Sequence, residues 1–326
     1  MNLIDVTKTF QTEDDALAFL EQMRWPDGIR CPVCGADNIS KITRQTASKN
    51  KRIRIYQCLE KTCKAQFSAT SGTIYGDSHL PLTTWFKAIA LIVDAKKGMS
   101  AKQLERHMGV TYKTAWYLCH RIRKAMADES SANLAGTVEI DETYVGGKIR
   151  GKGQKAGMRN KLVVMGAIER GGQLRLRHVA NDEAGTFRDF IKTHVSPAVE
   201  RIHTDQHRSY PPALKALKPQ FSMTHETVNH IAHEYVRGDV TTNRIESAFS
   251  LFKRGVVGSY HKVSIKHLHR YLSEFETRFN ERKNPERFEL LVSKACQTGT
   301  MPYRQLVDEN PPDDLIRETE SESEVF

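Results

Sequence analysis

VTTNRIESAFSLFKRGVVG, residues 240–258, reads as a helix. Ile245, Ala248, Phe249 and Phe252 recur at the helical period, so one face is apolar. The other face carries Asn243, Glu246 and Lys253. Glu246 and Lys253 lie seven residues apart, about two turns, and point the same way. A lone helix of this kind is ordinarily a surface helix with a solvated charged face. Two upstream aspartates change that reading, because each closes an apolar, strand-like run: Asp141 in GTVEIDETYVGG and Asp205 in ERIHTDQHRSY. Two strand-end aspartates and a helical carboxylate are what a site for two divalent cations needs.

The runs around these acids predict an α/β fold. Val138 and Ile140 alternate with Glu139 and Asp141, as in a half-buried strand. LVVMGAIER and QLRLRHVAN, joined at Gly171-Gly172, read as an antiparallel pair. EAGTFRDFIKTHV is a helix, Arg201–Thr204 is a short strand delivering Asp205, and PPALKAL begins another helix. KHLHRYLSEFETRFNERKN is a strong amphipathic helix that Pro285 brings to an end. Three strands in series, a helix, an acid-bearing strand and a helix with the third acid match a ribonuclease H-like mixed sheet, expected over residues 136–290. A basic glycine-rich loop, GGKIRGKGQKAGMRNK at 146–161, suits a phosphate-contacting hairpin tip. It lacks a phosphate-loop signature, so no nucleotide binding follows.

Upstream, residues 1–24 form a helical lead-in with an apolar stripe, and residues 25–72 carry two cysteine pairs. Cys31-x2-Cys34 in RCPVCG and Cys58-x4-Cys63 in YQCLEKTCKAQFS have the spacing of a closed tetrahedral site, which predicts one structural Zn²⁺ in a zinc ribbon. The β-branched, basic segment between them suits two strands and a turn. With all four thiols used, no catalytic thiol pair is expected. Cys119 and Cys296 stand alone and read as buried or incidental thiols.

Residues 80–128 turn helical and read as a helix-turn-helix-like DNA-binding segment. Ser100 caps a helix running to Met108, Gly109 makes the turn, and Thr111 caps a second helix ending near Met126. Leu104, Met108, Val110, Ala115, Leu118 and Ile122 are its expected core. Its exposed side is expected to present Tyr112, Lys113, His120, Arg121, Arg123 and Lys124 to DNA.

Charge agrees with an anionic polymer as partner. The net charge is +10. The stretch from Asp308 to Phe326 holds eight acidic residues and one arginine; taking these from the totals of 39 and 49 leaves the rest at +17. Nucleic acid is the simplest partner for such a chain. The acidic, proline-containing residues 305–326 read as a disordered tail. The N-terminus lacks the basic start and apolar run of a signal peptide, and no apolar segment reaches the length of a membrane span. A cytoplasmic protein with reduced thiols is therefore expected.

In combination, CPVCG, CLEKTCKAQFS, VEIDETYVGGK, IHTDQHRSY, HETVNHIAHEYVRGDVTTNRIES and LFKRGVVGSYHKVS resemble, in that order, the ISXO-like insertion-sequence transposases. The resemblance covers residues 20–285. It implies a zinc ribbon ahead of a DDE-class core that acts at the nucleoid of a bacterial cell. The implied activity is Mg²⁺-dependent cleavage at the element's terminal inverted repeats, followed by strand transfer into target DNA. A homodimer or higher oligomer on double-stranded DNA is expected.

By position Asp141 resembles the first acid and Asp205 the second. Both Asn243 and Glu246 match candidates for the third, and Lys253 resembles the lysine near the scissile phosphate. Thr241 stands where histidine is common, and Ala248-Phe249 where an aromatic–tryptophan pair is usual. Phosphodiester chemistry favours Glu246 over Asn243 as a ligand of Mg²⁺ or Mn²⁺, because a carboxylate neutralises the two ions better. Glu139 and Glu142 are the rivals for the role of Asp141. His203, His207, His225, His230 and His233 include no His-x3-His beside a glutamate, so a zinc hydrolase is not supported. The competing reading is a catalytically inactive or domesticated zinc-ribbon regulator that binds DNA, and the intact acids speak against it.

Overall fold

A computed structural model describes residues 1–43, 54–127, 133–146 and 161–308. Most of the glycine-rich loop, part of the polar linker before Gly136 and the acidic tail past Asp308 lie outside the described residues. The chain forms two compact units, one from residues 1–126 with 283–308 and one from residues 127–282.

The second unit is built on a mixed five-stranded sheet. β4 (Thr137–Val145) lies at its centre, antiparallel to β5 (Leu162–Glu169) and parallel to β7 (Arg201–Thr204). β6 (Leu174–Val179) closes one edge against β5, and β8 (Thr224–Thr227) closes the other, parallel to β7. The order β6-β5-β4-β7-β8 is that of a ribonuclease H-like core. β5 is buried along nearly its whole length, which explains its unbroken apolar sequence.

Each sheet face carries its own core. On one, Val138, Ile140 and Ile202 pack against α6 (Ala184–His194) and α7 (Tyr210–Leu217) through Phe187, Ile191 and Leu214. On the other, Val145, Val164 and Leu176 meet α8 (Asn243–Gly255) and α9 (Ile265–Asn280) through Ile245, Phe249 and Leu272. The fifth strand was hidden in the sequence: Thr224, His225, Glu226 and Thr227 show no apolar alternation, and the backbone ladder with β7 makes them a strand.

The first unit begins with two short helices, α1 (Leu3–Thr9) and α2 (Glu13–Arg24), each closed at its start by a capping box. A three-stranded antiparallel ribbon follows: β1 (Ile39–Thr43), β2 (Arg54–Cys58) and β3 (Gln66–Phe67). Trp25, Tyr56 and Phe67 form its small core, and Tyr56 Oη donates to Glu21 at 2.6 Å, tying the ribbon to α2. α3 (Leu82–Asp94) is the buried central helix of this unit.

The helix-turn-helix-like segment is α4 (Ala101–Met108) and α5 (Tyr112–Met126). Ser100 Oγ accepts the Gln103 amide at 3.1 Å, Gly109 turns in the left-handed region at φ 64°, and Thr111 Oγ1 accepts the Thr114 amide at 3.3 Å.

From Lys283 the chain returns to the first unit, short of the expected core boundary at residue 290. α10 (Arg287–Gln297) inserts Phe288 against Phe86 and Phe10. α11 (Tyr303–Asp308) buries Leu306, so the tail expected from residue 305 begins inside a helix.

Candidate active site

β4 outruns β7. Their parallel ladder ends at the pair Glu139–His203, and extending that register by two residues sets Asp205, just past β7, beside Asp141. The carboxylate oxygens of Asp141, Glu142 and Asp205 lie within 4.8 Å of one another. Glu142, a rival in the sequence, thus joins Asp141 instead of replacing it. Tyr210 Oη donates to Glu142 Oε2 at 2.9 Å, and Asp205 Oδ1 accepts the His207 amide at 2.9 Å.

These acids repel one another. Burial, then the charges of Glu142, Asp205 and Glu246, push the Asp141 carboxyl up to about 8, against the smaller opposing effect of the Glu142 amide. Burial and Asp205 likewise raise Glu142. Burial and the three acids hold the Tyr210 phenol well above its ordinary range, so it stays a donor. Three hard oxygen donors gathered this closely fit a divalent cation of the Mg²⁺ or Mn²⁺ type.

α8 supplies the opposite wall of a cleft of about 560 Å³, with Glu246, Ser250 and Lys253 on one helical stripe facing Asp141, and Val257 in the turn that follows. Glu246 Oε1 accepts the Thr242 hydroxyl at 2.7 Å and lies 3.4 Å from His230 Nε2. It shares the cleft with Asp141 but stands outside the tight group of three acids. Lys253 also faces Asp141; the surrounding protein lowers its ammonium pKa while Asp141 works the other way. Asn243 is exposed at the start of α8 and does not line the cleft. Glu139 is fully buried, with its oxygens taken up by Arg170 and by backbone amides of α8, so it is no rival to Asp141.

In the first unit the four cysteines converge. Cys31 and Cys63 sulfurs are 3.7 Å apart, as are those of Cys34 and Cys58. Four thiolates at a Zn–S distance of about 2.3 Å span tetrahedral edges of about 3.8 Å, so the cluster fits structural Zn²⁺. Burial opposes ionisation of Cys31, but the amides of Cys34 and Val33 and the nearby thiols bring it down to about 7.

Residues 133–280 match the ISXO2-like transposase domain, and residues 11–66 match the transposase zinc-ribbon domain. The chain is 30% identical over 289 residues to an uncharacterized protein in transposable element ISH50 of Halobacterium salinarum, spanning 83% of this chain and 92% of that protein. The chain belongs to the ISXO2-like insertion-sequence transposases. The zinc ribbon and the acid cluster therefore stand in the two segments where this family has its own domains. No helix among the described residues is long and apolar enough to cross a membrane.

The expected DNA-reading face of α5 requires correction. His120, Arg121 and Arg123 are buried. Arg121 donates to the Gly76 carbonyl and stacks over the rings of Trp85 and Tyr117, and Arg123 reaches the Met99 carbonyl at 3.5 Å. Lys124 Nζ donates to the Thr300 carbonyl at 2.9 Å. The segment at Met301–Tyr303 also meets Tyr117, so elements far downstream cover much of the helix that local periodicity leaves bare. Tyr112 and Lys113 stay exposed, with Lys113 Nζ 4.5 Å from the centre of the Tyr303 ring.

Tyr210 and His230 were missed as site residues. Nothing in the sequence pairs His230 with Glu246.

Proposed function

We propose that the protein binds the terminal inverted repeats of its element and catalyses divalent-metal-dependent cleavage and transfer of DNA strands. The observation that carries this reading is the convergence of Asp141, Glu142 and Asp205 within 4.8 Å, with Asp141 lining a cleft that also bears Glu246 and Lys253. Three mutually repelling acids cost stability in the absence of a cation. A regulator without chemistry has no use for them.

Asp141 and Asp205 would hold Mg²⁺ or Mn²⁺ together with Glu246 from across the cleft, and Glu142 would offer a further oxygen beside the two aspartates. When bound, the metal supplies charge stabilisation for the attacking and leaving oxygens of the phosphodiester. Tyr210 orients Glu142 through its hydroxyl, leaving the other Glu142 oxygen to the cluster. Thr242 holds Glu246 in one rotamer. Lys253 places its ammonium where a scissile phosphate entering the cleft would meet it, a point charge for a phosphate oxygen. Asn243, which faces solvent, has no part in this arrangement.

DNA recognition falls to the first unit, through the zinc ribbon and through Tyr112 and Lys113 at the exposed start of α5. Assembly as a dimer or larger oligomer on DNA at the nucleoid belongs to the same proposal. It is tested by incubating the protein with end-containing duplex and Mg²⁺. Strand nicks at the element ends are expected from the wild type and none from Asp141→Asn; equal nicking by the two would refute the reading.

A further inference from the structure

Helix α8 gets no side-chain bond from its cap residue, and its first amide, that of Asn243, is taken by Thr241 Oγ1 at 3.1 Å. Thr242 occupies the cap position; its hydroxyl donates to Glu246 and makes no capping bond. The first amides of a helix need acceptors. Here one comes from β4, about a hundred residues earlier: Glu139 Oε2 accepts the amides of Arg244 at 2.9 Å and Ile245 at 3.4 Å. A carboxylate at this end also suits the helix dipole.

The other Glu139 oxygen accepts from Arg170 Nε at 3.2 Å. Arg170 in turn contacts His203 Nδ1 at 3.1 Å and donates to the carbonyl of Asp239. One buried carboxylate thus joins the central strand, the β5–β6 turn, β7 and the start of α8.

Its place in the chain gives this contact a functional consequence. Glu139 is two residues before Asp141 on one strand, and Arg244 and Ile245 immediately precede Glu246 on one helix. The Glu139–amide bonds therefore set the offset between the two acids that face each other across the cleft. We propose that Glu139 is a positioning residue of the cleavage site, acting as the spacer that locks the helix bearing Glu246 and Lys253 to the strand bearing Asp141. This rests on the cleavage function proposed above.

The test uses full-length Glu139→Ala, and Glu139→Asp, which keeps the charge but is too short to reach both Arg170 and the helix. All readings are taken well below each variant's melting temperature. Amide hydrogen exchange in metal-free protein is expected to accelerate at Arg244 and Ile245. The Mn²⁺ dissociation constant, measured by electron paramagnetic resonance without DNA, and the Mg²⁺ concentration for half-maximal nicking are expected to rise roughly tenfold or more, as when a ligand's support is removed. Affinity for end-containing DNA is expected to be unchanged.

A folded variant with wild-type Mn²⁺ affinity and Mg²⁺ midpoint would overturn the proposal, even if its activity fell in step with its folded fraction. Should the alanine variant not fold, the aspartate variant decides by the same readings. Asp141→Asn serves as the separate control. Nicking by that variant at the wild-type rate would remove the cleavage reading itself, whereas loss there with unaltered Glu139 variants would remove only the spacer.

Discussion

Asp141 stands across the ladder from Gly166, and the bare backbone of Gly166 lets the helix carrying Glu246 lie against the sheet beside that aspartate. A Cβ at Gly166 would come within 2.7 Å of both Ile245 Cδ1 and Phe249 Cζ. The helix bearing Glu246 is thus pressed to the sheet at Gly166 and hydrogen-bonded to it at Glu139.

Gly166→Val should therefore push α8 outward. Overpacking of this kind costs about 1–3 kcal/mol, and Gly166→Ala should cost less, because the atoms it meets are the free ends of side chains. Urea unfolding measures the stability loss, and the same samples should need more Mg²⁺ for half-maximal nicking. Unchanged stability and metal demand in the valine variant would mean that the close approach does not matter.

The Asp141 carboxyl gives a pH dependence of definite sign. Its folded-state pKa of about 8 lies above the ordinary 3.8, so between those values the metal-free folded chain holds a proton that the unfolded chain has released. That contribution favours folding at low pH and is lost as pH rises through the window. Without added divalent cation, the melting temperature of the wild type should fall relative to Asp141→Asn as pH rises from 5 toward 8. Mn²⁺, which competes with that proton, should stabilise the wild type more at the upper end. Parallel pH profiles for the two proteins would contradict this.

Cys34→Ser should lose the zinc. Metal analysis of the intact wild type is expected to find one Zn²⁺ per chain, with the variant well below that and its N-terminal ribbon destabilised. Stoichiometric zinc in the variant would exclude Cys34 as a ligand.

Arg121 and Lys113 should separate cleanly. Arg121 is buried against Trp85 and Tyr117, so Arg121→Ala is expected to lower stability by about 2–4 kcal/mol through lost packing and a lost charged hydrogen bond. Lys113→Ala should leave stability nearly unchanged. It should weaken DNA binding and reduce the slope of log affinity against log salt by about one. Denaturation and salt titrations of binding distinguish the two outcomes; the reverse pattern would restore the sequence-based assignment of Arg121 to DNA.

What the sequence made legible is what is local. Cysteine spacing disclosed the zinc cluster, alternation disclosed β4, and period 3.6 disclosed α8 with Glu246 and Lys253 on one stripe. The failures have one physical cause, partners far away in the chain. Arg121 and Arg123 look like solvated charges because their partners Gly76, Trp85 and Met99 stand on earlier elements, while residues after 283 cover Tyr117 and Lys124 of the same helix. Glu139 resembles a competing ligand because its acceptor role needs amides about a hundred residues on. Glu142 resembles a neighbour on the wrong pleat until β7 ends early and leaves room for Asp205 to meet both acids.

The most direct test compares nicking rate against Mg²⁺ concentration on end-containing DNA for wild type, Glu246→Gln and Asn243→Ala. Glutamine is nearly isosteric and helix-compatible, so Glu246→Gln removes a charge from the cleft without removing the helix. With Glu246 as the third metal-holding residue, that variant should lose nicking by orders of magnitude while end binding persists. Asn243→Ala should nick like wild type. Crippled Asn243→Ala beside active Glu246→Gln would contradict the assignment, and wild-type nicking by both would mean that this helix holds no metal ligand.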